Sequence, residues 1–390
     1  MYGCAMDLSK AFDMVEWGVL FQTLISRNVK PVFLRVLLHV YTAQSCDVKW
    51  NGSYSHRFPV TNGVRQGAVS SPTLFSVYIN DLFRILKLSG LGCRIRNCYF
   101  GCFGYADDLL LLSASRSGLQ SMVKICQDFA KSRNLKFSTN PDPKKSKTKC
   151  LIFSKQARAR QGVLPVLLNG NPLPWVDHVK HLGNKLECDN SMKQDIAMKK
   201  GNFIGKVNSL SQEFHFATPN VSMNIITIYC TSFHGSGLWD LYCKESDRLF
   251  KAWNVSIRLA CHVPWTTHRY LIEGVSGCLH LKVMLASRLV KFLGSLKGSS
   301  KMGIRLLAGI SELDRRTVLG RNICNIAAEV DVPVAGLTPG IVKKEMKYFS
   351  VPDEQAWRIP MLRELVNGKF CVPGFSESEL TLMKNYLCSS

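Results

Sequence analysis

Acidic residues are scarce in this chain of 390 residues: 28 Asp and Glu stand against 50 Lys and Arg, a formal charge of +22. A field of that sign attracts polyanions and fits poorly with an enzyme of small neutral metabolites. Nucleic acid leads as partner; a membrane-facing patch and an unliganded basic surface are the alternatives. Long apolar runs are missing as well. Nothing approaches the roughly eighteen consecutive apolar residues of a membrane span, the longest suggestive run being Leu109 to Leu112. Asp7 and Lys10 interrupt the stretch where a secretory signal needs unbroken apolar sequence. The expectation is an intracellular protein, nuclear or cytoplasmic, neither secreted nor membrane-bound. Fifteen cysteines run from Cys4 to Cys388 without a C-x-x-C pair. That excludes a complete disulfide framework and a zinc ribbon and points to reduced, mostly buried thiols. Cys261, His262, His268, Cys278 and His280 also lack the short ligand spacing of structural zinc sites.

What is present is a mixed pattern. Cys4–Leu8 reads as a short strand, and Val15–Ile25 and Val32–Tyr41 read as helices. Cys46–Trp50 and Tyr54–Phe58 flank Asn51-Gly52, which readily supplies the positive φ angles of a tight hairpin. Ser71-Pro72 reads as an N-cap and first helical position. From there Leu74, Phe75, Tyr78, Leu82, Ile85 and Leu86 fall on one helical side, with Asn80, Arg84 and Lys87 opposite. The apolar runs Tyr99–Tyr105 and Leu109–Ser113 flank Asp107-Asp108 as two strands would flank an acidic turn, and a helix follows over about Gly118–Ser132. Ten Lys or Arg and one acid, Asp142, lie between Lys131 and Arg160. Past Ser191 strand signals fade, and Ile196, Phe203, Val207, Leu210 and Phe214 keep helical spacing. Near the C-terminus Ser376 and Glu379 form a capping box, with Phe375 and Leu380 as a hydrophobic staple.

The chemistry starts at Asp107-Asp108. Two adjacent carboxylates at a turn, with no neighbouring Lys or Arg, call for a cation. Magnesium takes a few carboxylate oxygens together with substrate phosphates, and paired ions suit phosphoryl transfer. An exposed Asp-Asp turn is the plain alternative for the dipeptide alone.

Four segments in order change that balance. Tyr105-Ala106-Asp107-Asp108 resembles the catalytic turn of reverse transcriptases, and Asp7-Leu8-Ser9-Lys10-Ala11-Phe12-Asp13 resembles their first catalytic motif. Asn62-Gly63-Val64-Arg65-Gln66-Gly67 followed by Ser71-Pro72 resembles the loop that leads into the long palm helix, and Lys147-Thr148 resembles the fourth motif. Tyr78-Ile79-Asn80-Asp81-Leu82 is typical of polymerases from retrotransposons lacking long terminal repeats.

The resemblance implies an α+β fold: a right-hand polymerase palm, with an antiparallel sheet and packed helices, over residues 1–190. A helical thumb and post-thumb region would follow over 191–295, and a helical region of unknown role over 296–390. It implies two Mg²⁺ ions, with Mn²⁺ as substitute, held by Asp7, Asp107 and Asp108, and Lys147 as a general acid for pyrophosphate, with Lys145 the second choice. Ala11, Phe12, Gln66 and Gly67 would bind the nucleotide, Phe12 excluding a 2'-hydroxyl. Arg65, Pro72 and the hairpin His181-Leu182-Gly183 would hold template and primer. The implied partners are an RNA template, a DNA primer, their duplex and deoxynucleoside triphosphates.

The family also places a fingers subdomain ahead of its first motif, and six residues precede Asp7 here. The expectation is therefore an N-terminally truncated LINE-type polymerase with fingers largely missing. An inactive nucleic-acid-binding remnant is the main rival, and a nuclease using the same carboxylates is a weaker one.

Overall fold

The computed structural model describes residues 1–140, 142, 145–268, 271 and 278–346. The capping box at Ser376 and Glu379 lies outside them. The chain separates into two compact units. The first comprises Met1–Leu182 and Leu186–Asn190; the second comprises Gly183–Lys185 and the chain from Ser191.

The first unit opens with β1 (Tyr2–Asp7), α1 (Trp17–Ser26) and α2 (Pro31–Thr42). Four two-residue strands follow: β2 (Ser45–Cys46), β3 (Lys49–Trp50), β4 (Ser53–Tyr54) and β5 (Phe58–Pro59). Then come α3 (Ser71–Leu88), β6 (Arg94–Ile95), β7 (Cys98–Tyr99), β8 (Cys102–Tyr105), β9 (Asp108–Ser113), α4 (Arg116–Ser132) and β10 (Lys149–Ile152). Two hairpin pairs complete the strand count: β11 (Val166–Leu168) with β12 (Asn171–Leu173), and β13 (His178–His181) with β14 (Asn184–Glu187).

The main sheet is antiparallel, in the order β10-β1-β9-β8. Alternation gives it two faces. Cys4 and Met6 of β1, Leu109 and Leu111 of β9 and Cys150 of β10 share a buried core with Leu74, Phe75, Tyr78 and Leu82 of α3 and Met122, Val123 and Cys126 of α4. Ala5, Leu110 and Leu151 face the other way and pack on Val179 of β13. Asp7 and Asp108, two residues beyond Ala5 and before Leu110 and directly opposite one another, share this second face.

Two details depart from the sequence expectation. Helix α3 takes Ser70 as its N-cap, so Ser71 lies inside the helix, fully buried, with no side-chain cap bond at the terminus. Two serines precede Pro72, and proline is tolerated through the first turn, so the sequence left both registers open. Ile85, placed on the buried stripe, is 43% exposed because it lies at the stripe's margin.

The second unit is helical: α5 (Lys193–Glu213), α6 (Pro219–Ile225), α7 (Lys244–Ala260), α8 (Leu281–Lys297), α9 (Met302–Leu313), α10 (Val318–Glu329) and α11 (Pro339–Glu345). Ile196, Phe203 and Val207 of α5 pack with Phe250 and Trp253 of α7, Leu285 and Leu289 of α8 and Ile326 of α10. One charged cluster is buried here. The fully buried carboxylate of Asp195 accepts the Lys185 amide at 2.9 Å, the Trp239 indole N–H at 2.8 Å and Lys199 Nζ at 2.9 Å. Lys199 also donates to Asn184 Oδ1 at 2.7 Å and to the His234 carbonyl. A buried carboxylate with a cation and two N–H donors is compensated in both charge and hydrogen bonding.

Candidate active site

Asp7 ends β1 and Asp108 begins β9, and the two are direct partners in the antiparallel ladder. Directly opposed side chains stand about 5 Å apart at Cβ, so two like charges here need a counter-charge. Asp107 lies between them and β8, in the two-residue turn joining Tyr105 to Asp108. Ala106 holds φ +53° in that turn, a left-handed conformation that is uncommon for a residue with a β carbon.

The end of β1 is fixed from its far side. Ser138 N–H donates to the Asp7 carbonyl at 2.7 Å, and Asp7 N–H reaches Thr148 Oγ1 at 3.4 Å. Thr148 is itself fully buried. The carboxylate of Asp7 is left short of donors: Oδ2 is buried and has no hydrogen-bond partner. Lys147 Nζ lies 3.5 Å away, within ion-pair range and beyond a good hydrogen bond. Burial raises the Asp7 pKa above the ordinary aspartate value, Lys147 pulls it down, and the charges of Asp107 and Asp108 raise it again.

Phe12 lies in the turn after β1 and stacks on the buried Phe75 ring of α3, with centroids 5.1 Å apart and planes 16° apart. Ala11 beside it is buried. The loop before α3 is laced to this turn. Val64 N–H donates to the Phe12 carbonyl and Gly63 N–H to the Val15 carbonyl, both at 2.8 Å. Trp17 Nε1–H donates to the Gly63 carbonyl at 2.8 Å, and Gln66 Nε2 to Asp13 Oδ1 at 3.2 Å. Gly63 is required: its φ is +88° and a β carbon would meet the Asp13 carbonyl oxygen at 3.0 Å. Arg65, Gln66, Gly67 and Pro72 are exposed. Asp13, Gly63, Arg65 and Gln66 line one cleft together with Gln44, Ser45 and Cys46.

His181 is half-buried at the end of β13, its pKa lowered by burial and partly restored by the charge of Asp108. Leu182 and Gly183 make the following turn with φ +48° and +77°, two consecutive positive angles. Lys145 is exposed, its amide donating to the Asp142 carbonyl at 3.0 Å.

The carboxylates, Lys147, Phe12 and the Gln66 loop thus gather around one end of the main sheet. Thr148 and Asp13 were not singled out from sequence, although both lie within or beside the quoted motifs. Among the described residues, no three His, Cys, Asp or Glu side chains converge into a ready metal cage. The orphaned Asp7 Oδ2 and the all-oxygen donor set nonetheless suit a hard divalent cation.

The family described as reverse transcriptase (RNA-dependent DNA polymerase) matches residues 1–186. The Pol polyprotein of the type-2 retrotransposable element R2DM of Drosophila melanogaster is 30% identical over 139 residues, 36% of this chain and 13% of that protein. The RNA-directed DNA polymerase from the mobile element jockey of the same fly is 26% identical over 222 residues, 54% of this chain and 22% of the relative. An uncharacterized 149 kDa protein of transposon TX1 from Xenopus laevis is 31% identical over 126 residues, 32% of this chain and 10% of that protein. The chain therefore spans only a small part of the length of these relatives. Residues 1–186 thus match the reverse transcriptase family, and parts of the chain are similar to retrotransposon polymerases.

Proposed function

We propose that the chain is an RNA-directed DNA polymerase that extends a DNA primer along an RNA template. The observation carrying this reading is the pairing of Asp7 with Asp108 across β1 and β9, with Asp107 on the adjoining turn and one Asp7 oxygen lacking a donor. In this reading residues 1–190 are the palm, 191–295 a helical thumb and post-thumb region, and 296–390 a C-terminal region of unknown role.

Asp7, Asp107 and Asp108 would hold two Mg²⁺, or Mn²⁺ in their place. Bound there, the ions would supply charge stabilisation for the attacking and leaving oxygens of phosphoryl transfer. The remaining work belongs to the chain. Phe12, braced by Phe75, presents a ring beneath the incoming sugar and leaves no room for a 2'-hydroxyl. Ala11 and Gly67 let the nucleotide approach the backbone, and Gln66, steadied by Asp13, orients it. Arg65 and Pro72 face the template, and the His181-Leu182-Gly183 turn supports the primer end. Lys147, whose ammonium rests 3.5 Å from Asp7 Oδ2, would donate a proton to the departing pyrophosphate. Positioning and electrostatics, more than covalent chemistry by the protein, set the rate of such a transfer.

A second reading, nucleic-acid binding without synthesis, draws on the ammonium of Lys147 resting beside Asp7 where a cation would act. Primer extension separates the two. Oligo(dT) on poly(rA) is incubated with dTTP and Mg²⁺, using the chain and its Asp107→Asn variant. Extension by the wild type alone supports the polymerase. Absence of extension, with salt-sensitive binding retained, supports the second reading.

A further inference from the structure

Every residue from Ser45 to Pro59 is exposed. The segment forms two short ladders, Ser45–Cys46 with Phe58–Pro59 and Lys49–Trp50 with Ser53–Tyr54, closed by an Asn51-Gly52 turn with φ +47° and +84°. A lone two-stranded hairpin is marginally stable in water, and packing on a core normally supports it. This one carries apolar side chains that contribute nothing to any core: Trp50 is 81% exposed, Tyr54 63% and Val48 55%.

The register sorts these side chains. Trp50 lies opposite Ser53, and Val48 opposite Ser55, whose amide donates to the Val48 carbonyl at 2.9 Å. One face therefore presents an indole and a valine beside two serines too small to cover them. On the other face Lys49 sits opposite Tyr54, with Nζ 5.3 Å from the ring centroid. Asp47 is the only acid from Ser45 to Pro59, and it lies 3.9 Å from Arg57; Lys49 and His56 add further basic groups. Bare aromatic rings interleaved with cations match unpaired nucleic acid, whose bases offer π faces and whose phosphates offer charge. The base of the hairpin has a second link. Ser45 and Cys46 line the same cleft as Arg65 and Gln66.

We infer that the β3–β4 hairpin is a landing platform for single-stranded template, with Trp50 stacking on an unpaired base, and with Lys49 on the opposite face and Arg57 supplying the positive field that draws in phosphates. The direction of the strand, toward Arg65 and Gln66, rests on the polymerase reading. The binding itself does not.

The test is fluorescence anisotropy with a labelled rA20 single strand and a blunt rA20·dT20 hybrid, without nucleotide or divalent metal. Circular dichroism monitors the fold of each variant. Trp50→Ala should weaken single-strand binding on the order of 5- to 100-fold and change hybrid binding less than about twofold, while Trp50→Phe should keep most of the affinity. Lys49→Ala should flatten the salt dependence of single-strand binding by about one phosphate's contribution. Unchanged single-strand binding in Trp50→Ala, or equal losses on both ligands, overturns the platform. So does a Trp50→Ala change in sedimentation of the protein alone, which would assign the face to a second copy of the chain. Failure of primer extension with these binding differences intact would count against the polymerase reading only.

Discussion

The ammonium of Lys147 stands 3.5 Å from Asp7 Oδ2, the one oxygen of that carboxylate that is buried without a hydrogen-bond donor. Burial loads β1 with a charge that the fold itself does not favour, and Lys147 offsets it only in part.

Asp7→Asn should therefore separate stability from activity. Burial is the largest influence on Asp7 and raises its pKa, so folding disfavours its ionised form. A raised carboxylate contributes stability below its ordinary titration range and loses it as pH rises through the folded value. At pH 7 the variant should melt at or above the wild type, with the gap closing near pH 4, while metal-dependent synthesis falls by about a thousandfold or more. Thermal scans at the two pH values check the first half. A variant that melts lower at pH 7 would mean that the Lys147 ion pair outweighs burial.

Phe12→Ala should open the sugar side of the nucleotide site. Removing a steric barrier of about 1–3 kcal/mol would bring ribonucleotide incorporation up by roughly 5- to 150-fold relative to deoxynucleotide, measured as a ratio of kcat/KM values. An unchanged ratio would reassign Phe12 to packing on Phe75.

In the second unit, Asp195→Ala should cost about 3–5 kcal/mol in urea unfolding, because it strands Lys199 in a site where its side chain is 10% exposed. Trp239→Phe, which removes one donor and part of a fully buried ring system, should cost about 1–3 kcal/mol. Equal losses in the two variants would mean that packing, not the charge, dominates the cluster.

Alkaline pH should weaken the first unit through Cys102 and Tyr99. Burial pushes each to about 12, from ordinary values of 9.0 and 10.0. Unfolding frees both to ionise, so the stability they contribute is complete below about pH 9 and is lost progressively towards pH 12. A Cys102→Ala, Tyr99→Phe double variant should lose its urea midpoint more gradually over that window. The same burial leaves Cys102 unreactive towards a disulfide reagent at pH 8, while Cys46, exposed on the hairpin strand, reacts. Cys46→Ser should remove one fast equivalent of thiol.

The elements of the first unit were legible because their signals are local. Apolar runs on either side of Asp107-Asp108 marked two strands, Asn51-Gly52 marked a hairpin, and the spacing from Leu74 to Leu86 marked a helix. What could not be read is long-range. Lys147 and Asp7 are brought together by the pairing of β10 with β1, and the Thr148 hydroxyl reaches the Asp7 amide by the same pairing. The Gln66–Asp13 bond joins two motifs that the sequence supplied separately. Ser71 and Ile85 failed at the margins of otherwise correct patterns, where a shift of one residue changes the environment. The buried cluster of Asp195 had no sequence signal, because its partners come from Asn184, Lys185, Lys199, His234 and Trp239.

The interior position of β1 also sets a schedule for synthesis of the chain. Tyr2 pairs with Ser113 on one side and Ile152 on the other, so the strand ending in Asp7 waits for partners more than a hundred residues downstream. At about 5–20 residues per second the edge that meets β9 stands open for roughly 5 to 20 s and the edge that meets β10 for roughly 7 to 30 s. Slow codons between Asp7 and Lys149 would lengthen the exposure, and chaperone dependence of the nascent chain should end once β10 has emerged.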